Sequence, residues 1–147
     1  MVDFDPGLIG RVFEGKRRLE IKQEMIDAYC EAIGDHNPVY RDGRVAAQGP
    51  DGGLTAPPGF AGIFRLEDHI FDNLPKFGRR RLAGGIDIEF VQPIHAGDTI
   101  GTITEVREIY EKTGRTGPMV FIVLRSALKN QRGEVAAYLS HRFVVRP

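Results

Sequence analysis

The sequence has only one cysteine, Cys30, among its 147 residues. One cysteine cannot form a disulfide within the chain or build a cysteine-rich metal site, so both frameworks are excluded. Cys30 lies on the apolar side of a predicted helix, and we interpret it as a buried thiol rather than a nucleophile. The four histidines are scattered singly, without the spacing of zinc ligands, so we expect no metal site.

An excess of one charge and a long apolar run are also missing. Twenty Lys and Arg residues balance twenty Asp and Glu residues, whereas a nucleic-acid-binding domain usually carries a basic excess. No apolar run approaches the roughly 20 residues that span a bilayer. We therefore expect no nucleic-acid partner, no membrane association and a cytoplasmic location.

Two helices are predicted in the first half of the chain. Apolar residues recur at helical spacing over residues 22–33, and Gly34 with the Asn-Pro pair after it ends this helix. A bulky apolar stripe predicts a second, deeply buried helix over residues 60–74. Between them, residues 43–59 are rich in Gly and Pro, and so long a connection inside a compact domain is usually functional.

Strands make up most of the rest. A short strand is predicted at residues 18–21, before the first helix. The remaining strands are predicted at residues 84–91, 99–109, 119–128 and 134–145. Short turns join them, which indicates an antiparallel sheet.

This order of elements predicts an α+β hot-dog fold, in which a curved antiparallel sheet wraps around a central helix. The composition, 41% hydrophobic and 27% charged, is typical of a globular protein, and the length predicts one hot-dog domain over residues 1–147. A single sheet of this kind leaves an edge and part of a face uncovered. Since pairing with another protomer usually covers them, we predict a dimer, either with a second copy or with a related chain.

Asp35 is the first candidate for a catalytic group. It follows a helix end and precedes a rigid Asn37-Pro38 turn. Gly59, at the start of the second predicted helix, offers a backbone N–H near the positive end of that helix. A carboxylate base and an N–H that polarises a carbonyl form a minimal site for adding or removing water beside a thioester. Asp35 and Asn37 could equally serve only to cap a turn, and the spacing leaves both interpretations open.

A run of three arginines, Arg79, Arg80 and Arg81, is the second candidate. The forked donors of arginine suit the phosphates of a nucleotide, so the run could clamp such a group. The alternative is an ordinary solvated surface.

Three motifs, in this order, resemble those of the MaoC-like dehydratases, which include (R)-specific enoyl-CoA hydratases and (3R)-hydroxyacyl-thioester dehydratases. The motifs are Gly34-Asp35-x-Asn37-Pro38, Ala56-Pro57-Pro58-Gly59-Phe60 and Phe90-Val91-x-Pro93-Ile94-x-x-Gly97-Asp98. The second motif is most similar to the N-terminal-type MaoC dehydratase domain. The resemblance implies a hot-dog fold, dimeric pairing, an acyl-CoA or acyl-carrier-protein thioester as substrate and no cofactor.

The resemblance also implies roles for individual residues. The family's catalytic Asp and Asn fall on Asp35 and Asn37, its carbonyl-polarising glycine falls on Gly59, and Phe60 after it is a candidate substrate-binding residue. The family's catalytic histidine, however, is replaced by Tyr40. An imidazole titrates near pH ~6.5 and can exchange a proton at neutral pH, whereas a phenol titrates near ~10 and stays protonated.

Three functions therefore remain open at the level of sequence. The leading hypothesis is a hydro-lyase of fatty acyl metabolism that acts on enoyl or 3-hydroxyacyl thioesters. The second is a non-catalytic acyl-binding subunit that needs a second hot-dog subunit for turnover. The third and weakest is a hot-dog thioesterase.

Overall fold

The computed structural model describes residues 2–146, so Met1 and Pro147, the ends of the predicted domain, lie outside the described residues. The α-helices are α1 (Gln23–Ile33), α2 (Gly43–Gln48) and α3 (Asp68–Asp72). The strands are β1 (Val12–Glu20), β2 (Arg80–Phe90), β3 (Thr99–Gly114), β4 (Gly117–Lys129) and β5 (Val135–Arg146). Short 3-10 helices cover Pro6–Leu8, Pro38–Tyr40 and Pro58–Ile63.

The five strands form one sheet in the order β1-β3-β4-β5-β2, and every neighbouring pair is antiparallel. The four strands predicted after the second helix are confirmed, and the short strand predicted at 18–21 is the end of the longer β1. β4 lies in the middle of the sheet, and its side chains alternate between buried and half-buried. The continuous apolar run of this strand had predicted that both of its faces are covered. The alternation shows instead that only one face of β4 is fully buried within the protomer.

Helix α1 forms and ends as its sequence predicts. Ile26 and Cys30 stand four residues apart on its inner face and are both completely buried, which agrees with the prediction of a core thiol. Gly34 adopts a left-handed conformation at φ 71°, which a residue without a β-carbon reaches at little cost. The Asp35 N–H then donates to the Cys30 carbonyl at 2.9 Å, closing the helix.

The second predicted helix is wrong in its extent. Residues 60–74 are two short pieces, the 3-10 helix Pro58–Ile63 and the five-residue α3, separated by extended backbone at Phe64. The cause is a long-range contact. The Glu67 carboxylate accepts the backbone N–H groups of Lys16 and Arg17 at 3.1 and 3.2 Å, where a bulge interrupts the pairing of β1 with β3. This contact ties the residues before α3 to the edge of the sheet and away from a continuous helix.

The loop predicted at residues 43–59 also contains structure that the Gly and Pro content concealed. Asp42 accepts the N–H of Arg44 through Oδ1 at 2.9 Å and so caps the six-residue α2. Within the remaining residues, 49–59, Thr55 forms an isolated bridge with His95, which lies in the connection between β2 and β3.

Two hydrophobic clusters form the core. The broken helix contributes to both, since Phe60 and Phe64 pack in one cluster and Ile70 in the other.

The free edge of the sheet formed by β2 is largely exposed, because only one of its eleven residues is even partly buried. Large apolar side chains there remain exposed, namely Leu82, Ile86, Phe90 and the adjacent Val91. No helix within residues 2–146 combines the length and apolar character needed to cross a bilayer.

Candidate functional site

A cleft of about 310 Å³ opens between the end of the long connection and the residues at and just after the end of β2. Its walls come from the segment before the 3-10 helix at 58–63, from the end of β2 and from the start of β5. Its lining residues are Tyr40, Asp51, Thr55, Ala56, Pro57, Pro58, Ala61, Phe90, Val91, Gln92, Pro93, Ile94, Ala136 and Ala137. Most of these side chains are apolar, so the cleft suits an acyl chain better than a sugar or a nucleotide.

Tyr40 is the predicted site residue that the structure places directly on the wall of the cleft. It is half-buried against the first core cluster, and its carbonyl accepts an N–H of the Gln23 side-chain amide at 2.9 Å. Burial is the main cause that raises the pKa of the Tyr40 phenol, and the negative charge of Asp35 adds to the effect. Both influences keep the phenol protonated, so it can donate a hydrogen bond at neutral pH but cannot serve as a base.

Asp35 and Asn37 form the turn that carries Tyr40. Asp35 accepts the Asn37 N–H through Oδ1 at 3.0 Å, and Asn37 accepts the Val39 N–H through its own Oδ1 at 3.1 Å. The turn-capping interpretation is therefore correct as a description of these contacts. These contacts leave the second oxygen of Asp35, Oδ2, without a hydrogen bond from residues 2–146. That oxygen retains the capacity to accept a proton or to bind a water.

Gly59 lies beside the cleft, next to the lining residue Pro58. Its N–H belongs to the first turn of the 3-10 helix, where backbone amides lack an acceptor within the helix. A β-carbon at Gly59 would overlap the hydroxyl of Tyr29 in α1, and the next atom of that ring lies at 3.5 Å. Glycine is therefore required here by the close approach of Tyr29.

Of the predicted site residues, Tyr40 alone lines the cleft; Asp35, Asn37 and Gly59 do not, and neither do Phe60 and the arginines. Phe60 is 1% exposed and packs edge-to-face against Tyr29, so its ring lies in the core rather than on the cleft wall. Arg79, Arg80 and Arg81 lie at the far end of β2 from Phe90. Arg81 and Phe90 are nine residues apart on that strand, which corresponds to about 30 Å at ~3.3 Å per residue.

Two polar residues that share the cleft with Tyr40 were not predicted from the sequence. Asp51 and Gln92 both line it, and the charge of Asp51 contributes to the raised pKa of Tyr40. The carbonyl of Asp51 lies 3.2 Å from Nε2 of His95, which fixes this part of the long connection against the turn before β3. In the sequence, the length of the connection over residues 43–59 was the one feature that indicated a functional role for this segment.

Comparison with known proteins gives the following likenesses. A family model described as "FAS1-like, dehydratase domain region" matches residues 7–139. A UPF0336 protein of Saccharopolyspora erythraea is 28% identical over 147 residues, covering 97% of this chain and 91% of that protein.

Two solved structures share the fold. The truncated HadBC (3R-hydroxyacyl-ACP dehydratase) complex of Mycobacterium tuberculosis superposes with a TM-score of 0.79 at 17% identity, covering 93% of this chain and 96% of that one. The MaoC-like dehydratase of Rhodospirillum rubrum superposes with a TM-score of 0.69 at 22% identity, covering 95% and 94%. The predicted hot-dog fold is thereby confirmed.

Proposed function

Since the chain belongs to the FAS1-like dehydratase domain family, we propose that it acts on enoyl or (3R)-hydroxyacyl thioesters carried by CoA or acyl carrier protein. The membership, together with the structural likeness to MaoC-like dehydratases, confirms the resemblance predicted from the three sequence motifs. Hydration of the enoyl thioester, or the reverse dehydration, is the reaction that we assign to it.

The observation that carries this proposal is the position of Tyr40. It lies on the wall of an apolar cleft, and Asp35 is near enough for its charge to raise the pKa of the phenol. The chain thus offers a hydrogen-bond donor on the cleft wall and a carboxylate in the turn that leads to it, although Asp35 is not itself a lining residue.

The proposed chemistry divides among three groups. Asp35 accepts a proton from the attacking water through its uncommitted Oδ2, while the N–H of Gly59 polarises the thioester carbonyl. Tyr40 donates a hydrogen bond to the water or to the carbonyl. Hydration also transfers a proton to the α-carbon, a step that a near-neutral imidazole would assist. The site has no efficient donor for this step, because a phenol with a raised pKa gives up its proton poorly.

The same observation favours a second function, that of an acyl-binding subunit. A chain that keeps the cleft and the carboxylate but lacks a near-neutral acid can hold the acyl group for another active site. The likeness to HadBC supports this alternative, because that dehydratase is a complex of two chains. In this case the catalytic partner would be a second hot-dog subunit.

Assays of the purified chain with crotonyl-CoA, a short trans-2-enoyl thioester, separate the candidate functions. We expect slow hydration, or none, because one member of the acid–base pair is missing. Fast hydration that disappears in Asp35→Asn would identify a complete enzyme. Binding of the thioester without hydration would identify the acyl-binding subunit, and release of free CoA thiol would identify a thioesterase instead. Fast hydration that persists in Asp35→Asn would contradict the proposed site.

A further inference from the structure

The hydroxyl group of Tyr29, in α1, has no hydrogen-bond partner in the protomer. Within residues 2–146 it neither donates to another group nor accepts from one. It is not sealed from water either, because the buried side-chain atoms without a partner in this part of the chain belong to other residues, namely Gln23, Arg41, His141 and Arg146. The hydroxyl is therefore free to donate a hydrogen bond to a molecule that enters from outside.

Packing alone does not account for this hydroxyl. The Tyr29 ring packs edge-to-face on Phe60, with the ring centroids 5.6 Å apart, and a phenylalanine ring would make the same contact. The hydroxyl adds no hydrogen bond to this packing, and it fills the space that a β-carbon at Gly59 would need. A polar group that restricts its neighbour and has no partner in the folded chain indicates a role toward a ligand.

A second free donor, the backbone N–H of Gly59, lies beside this hydroxyl. The first hydrogen bond of the 3-10 helix joins the Phe60 N–H to the Pro57 carbonyl at 2.9 Å, and no group within residues 2–146 accepts the Gly59 N–H. A β-carbon stands about 2.5 Å from the amide nitrogen of its own residue, so an atom that would overlap the Gly59 β-carbon lies within roughly 5 Å of that nitrogen. Two donors at this separation can both reach one oxygen at about 2.7–3.1 Å.

The two donors lie at the margin of the cleft rather than on its wall. Gly59 stands between Pro58 and Ala61, which both line the cleft. Tyr29 packs against the same core cluster as Tyr40, another lining residue. An acyl chain in the cleft can therefore place its thioester carbonyl at the start of the 3-10 helix, within reach of both donors.

We propose that the Tyr29 hydroxyl and the Gly59 N–H together bind the carbonyl oxygen of the thioester, which makes Tyr29 a second oxyanion donor. This inference rests on the proposed function, because that function supplies the thioester. When water adds to the β-carbon and gives a proton to Asp35, the electrons of the double bond move onto the carbonyl oxygen. Both donors stabilise this negative charge until the α-carbon takes up a proton, and Tyr29 keeps its own proton throughout. Tyr40 is then left to hold the attacking water.

Infrared spectroscopy of a bound thioester tests this assignment. The probe is butyryl-CoA with an isotopic label at the carbonyl carbon, because it lacks a double bond to hydrate and the label separates its carbonyl band from those of the protein. A hydrogen bond to the oxygen weakens the C=O bond and moves this band to lower wavenumber. Tyr29→Phe removes the hydroxyl and keeps the ring on Phe60. Tyr110→Phe is the matched control, since Tyr110 stacks on Phe121 and neither residue lines the cleft.

In the unmodified chain, the band of the bound thioester should lie below that of the free thioester. Tyr29→Phe should lose about half of this shift, because two donors share the oxygen, whereas Tyr110→Phe should keep all of it. A fluorinated tyrosine at position 29, which is a stronger donor and keeps the packing of the ring, should increase the shift. In the Tyr40→His chain, addition of Tyr29→Phe should lower kcat for crotonyl-CoA hydration by about 100-fold, the usual loss for one oxyanion donor.

Three results would overturn the inference. They are a bound thioester whose carbonyl band does not shift, a shift that Tyr29→Phe and Tyr110→Phe retain equally, and a shift that Tyr40→Phe alone abolishes. A chain that does not bind butyryl-CoA would contradict the proposed function together with this inference. The main readout needs no turnover, so a polarised thioester in a chain that never hydrates crotonyl-CoA would count against the proposed reaction alone.

Discussion

At the scale of single residues, the site depends on two positions where the neighbouring residues restrict which residue can serve. Gly59 is the clearest example, because the Tyr29 hydroxyl occupies the space that any β-carbon would need. Tyr40 is the second, because burial and the charge of Asp35 hold its phenol in the protonated form. The first restricts position 59 to a residue without a β-carbon unless Tyr29 shifts, and the second makes Tyr40 a hydrogen-bond donor rather than a base.

Gly59→Ala is therefore expected to destabilise the fold by about 1–3 kcal/mol, the usual cost of an added methyl group in a filled space. Tyr29→Phe in the same chain should restore most of that loss, because the next atom of the ring lies at an ordinary contact distance of 3.5 Å. Urea unfolding of the two single variants and the double variant measures this coupling. Additive effects of the two substitutions would show that the hydroxyl does not constrain Gly59.

His141 gives a prediction about acid stability. Burial lowers the pKa of its imidazole, and its Nδ1 is buried without a hydrogen-bond partner among residues 2–146. The unfolded chain therefore binds a proton at His141 more readily than the folded chain does. The contribution of the neutral, buried His141 to the free energy of unfolding is complete above pH ~6.5 and is lost as pH falls through the lowered pKa. The free energy of unfolding of His141→Phe should therefore fall less between pH 7.5 and 5.5 than that of the unmodified chain. Equal losses in both chains would contradict this assignment.

At the scale of elements, the second predicted helix is interrupted where the Glu67 side chain forms hydrogen bonds with strand β1. Glu67 has a side chain only 15% exposed, lies 3.4 Å from Nδ1 of His69, and accepts two backbone N–H groups of β1. One side chain thus joins the bulged edge strand to the segment before α3.

Glu67→Gln is expected to lower the free energy of unfolding by about 1–3 kcal/mol, because it removes the charge from a shielded pair of hydrogen bonds. Glu31→Gln is the matched control. Glu31 pairs with Arg41 at 3.1 Å, but its side chain is 73% exposed, so the change should be below about 0.5 kcal/mol. Chemical unfolding compares the two variants, and similar losses would show that the Glu67 contact is no stronger than a surface ion pair.

The elements also show which parts of the fold the sequence could reveal. The turn at Gly34 and the last four strands follow from local patterns, although β2 begins at Arg80 rather than at residue 84 and β3 extends to Gly114 rather than to residue 109. The break in the second helix does not, since it depends on Glu67 meeting amide groups about fifty residues earlier in the chain. Likewise, the motifs identified Asp35 and Tyr40, whereas Asp51 reaches the cleft only through tertiary folding.

At the scale of the whole molecule, the exposed edge β2 predicts how two chains associate. Leu82→Lys together with Ile86→Lys should prevent the predicted dimer from forming and leave a monomer, because both replace exposed apolar side chains on that edge with charges. Val12→Lys is the control, since Val12 is 57% exposed on the opposite edge strand β1 and should leave the dimer intact. Light scattering at micromolar concentration gives the mass of each variant. Dissociation by Val12→Lys alone would place the interface at the other edge.

The proposed function of the whole protein depends most directly on one prediction, that Tyr40 stands where the motif resemblance places a catalytic histidine. The measurement is the rate of crotonyl-CoA hydration by Tyr40→His relative to the unmodified chain. We expect an increase of about 100-fold or more, because an imidazole near pH ~6.5 completes the acid–base pair with Asp35. Asp35→Asn in the same variant should abolish the gain. Unchanged hydration in Tyr40→His, or a gain that survives Asp35→Asn, would contradict the assignment of this cleft as the hydratase site.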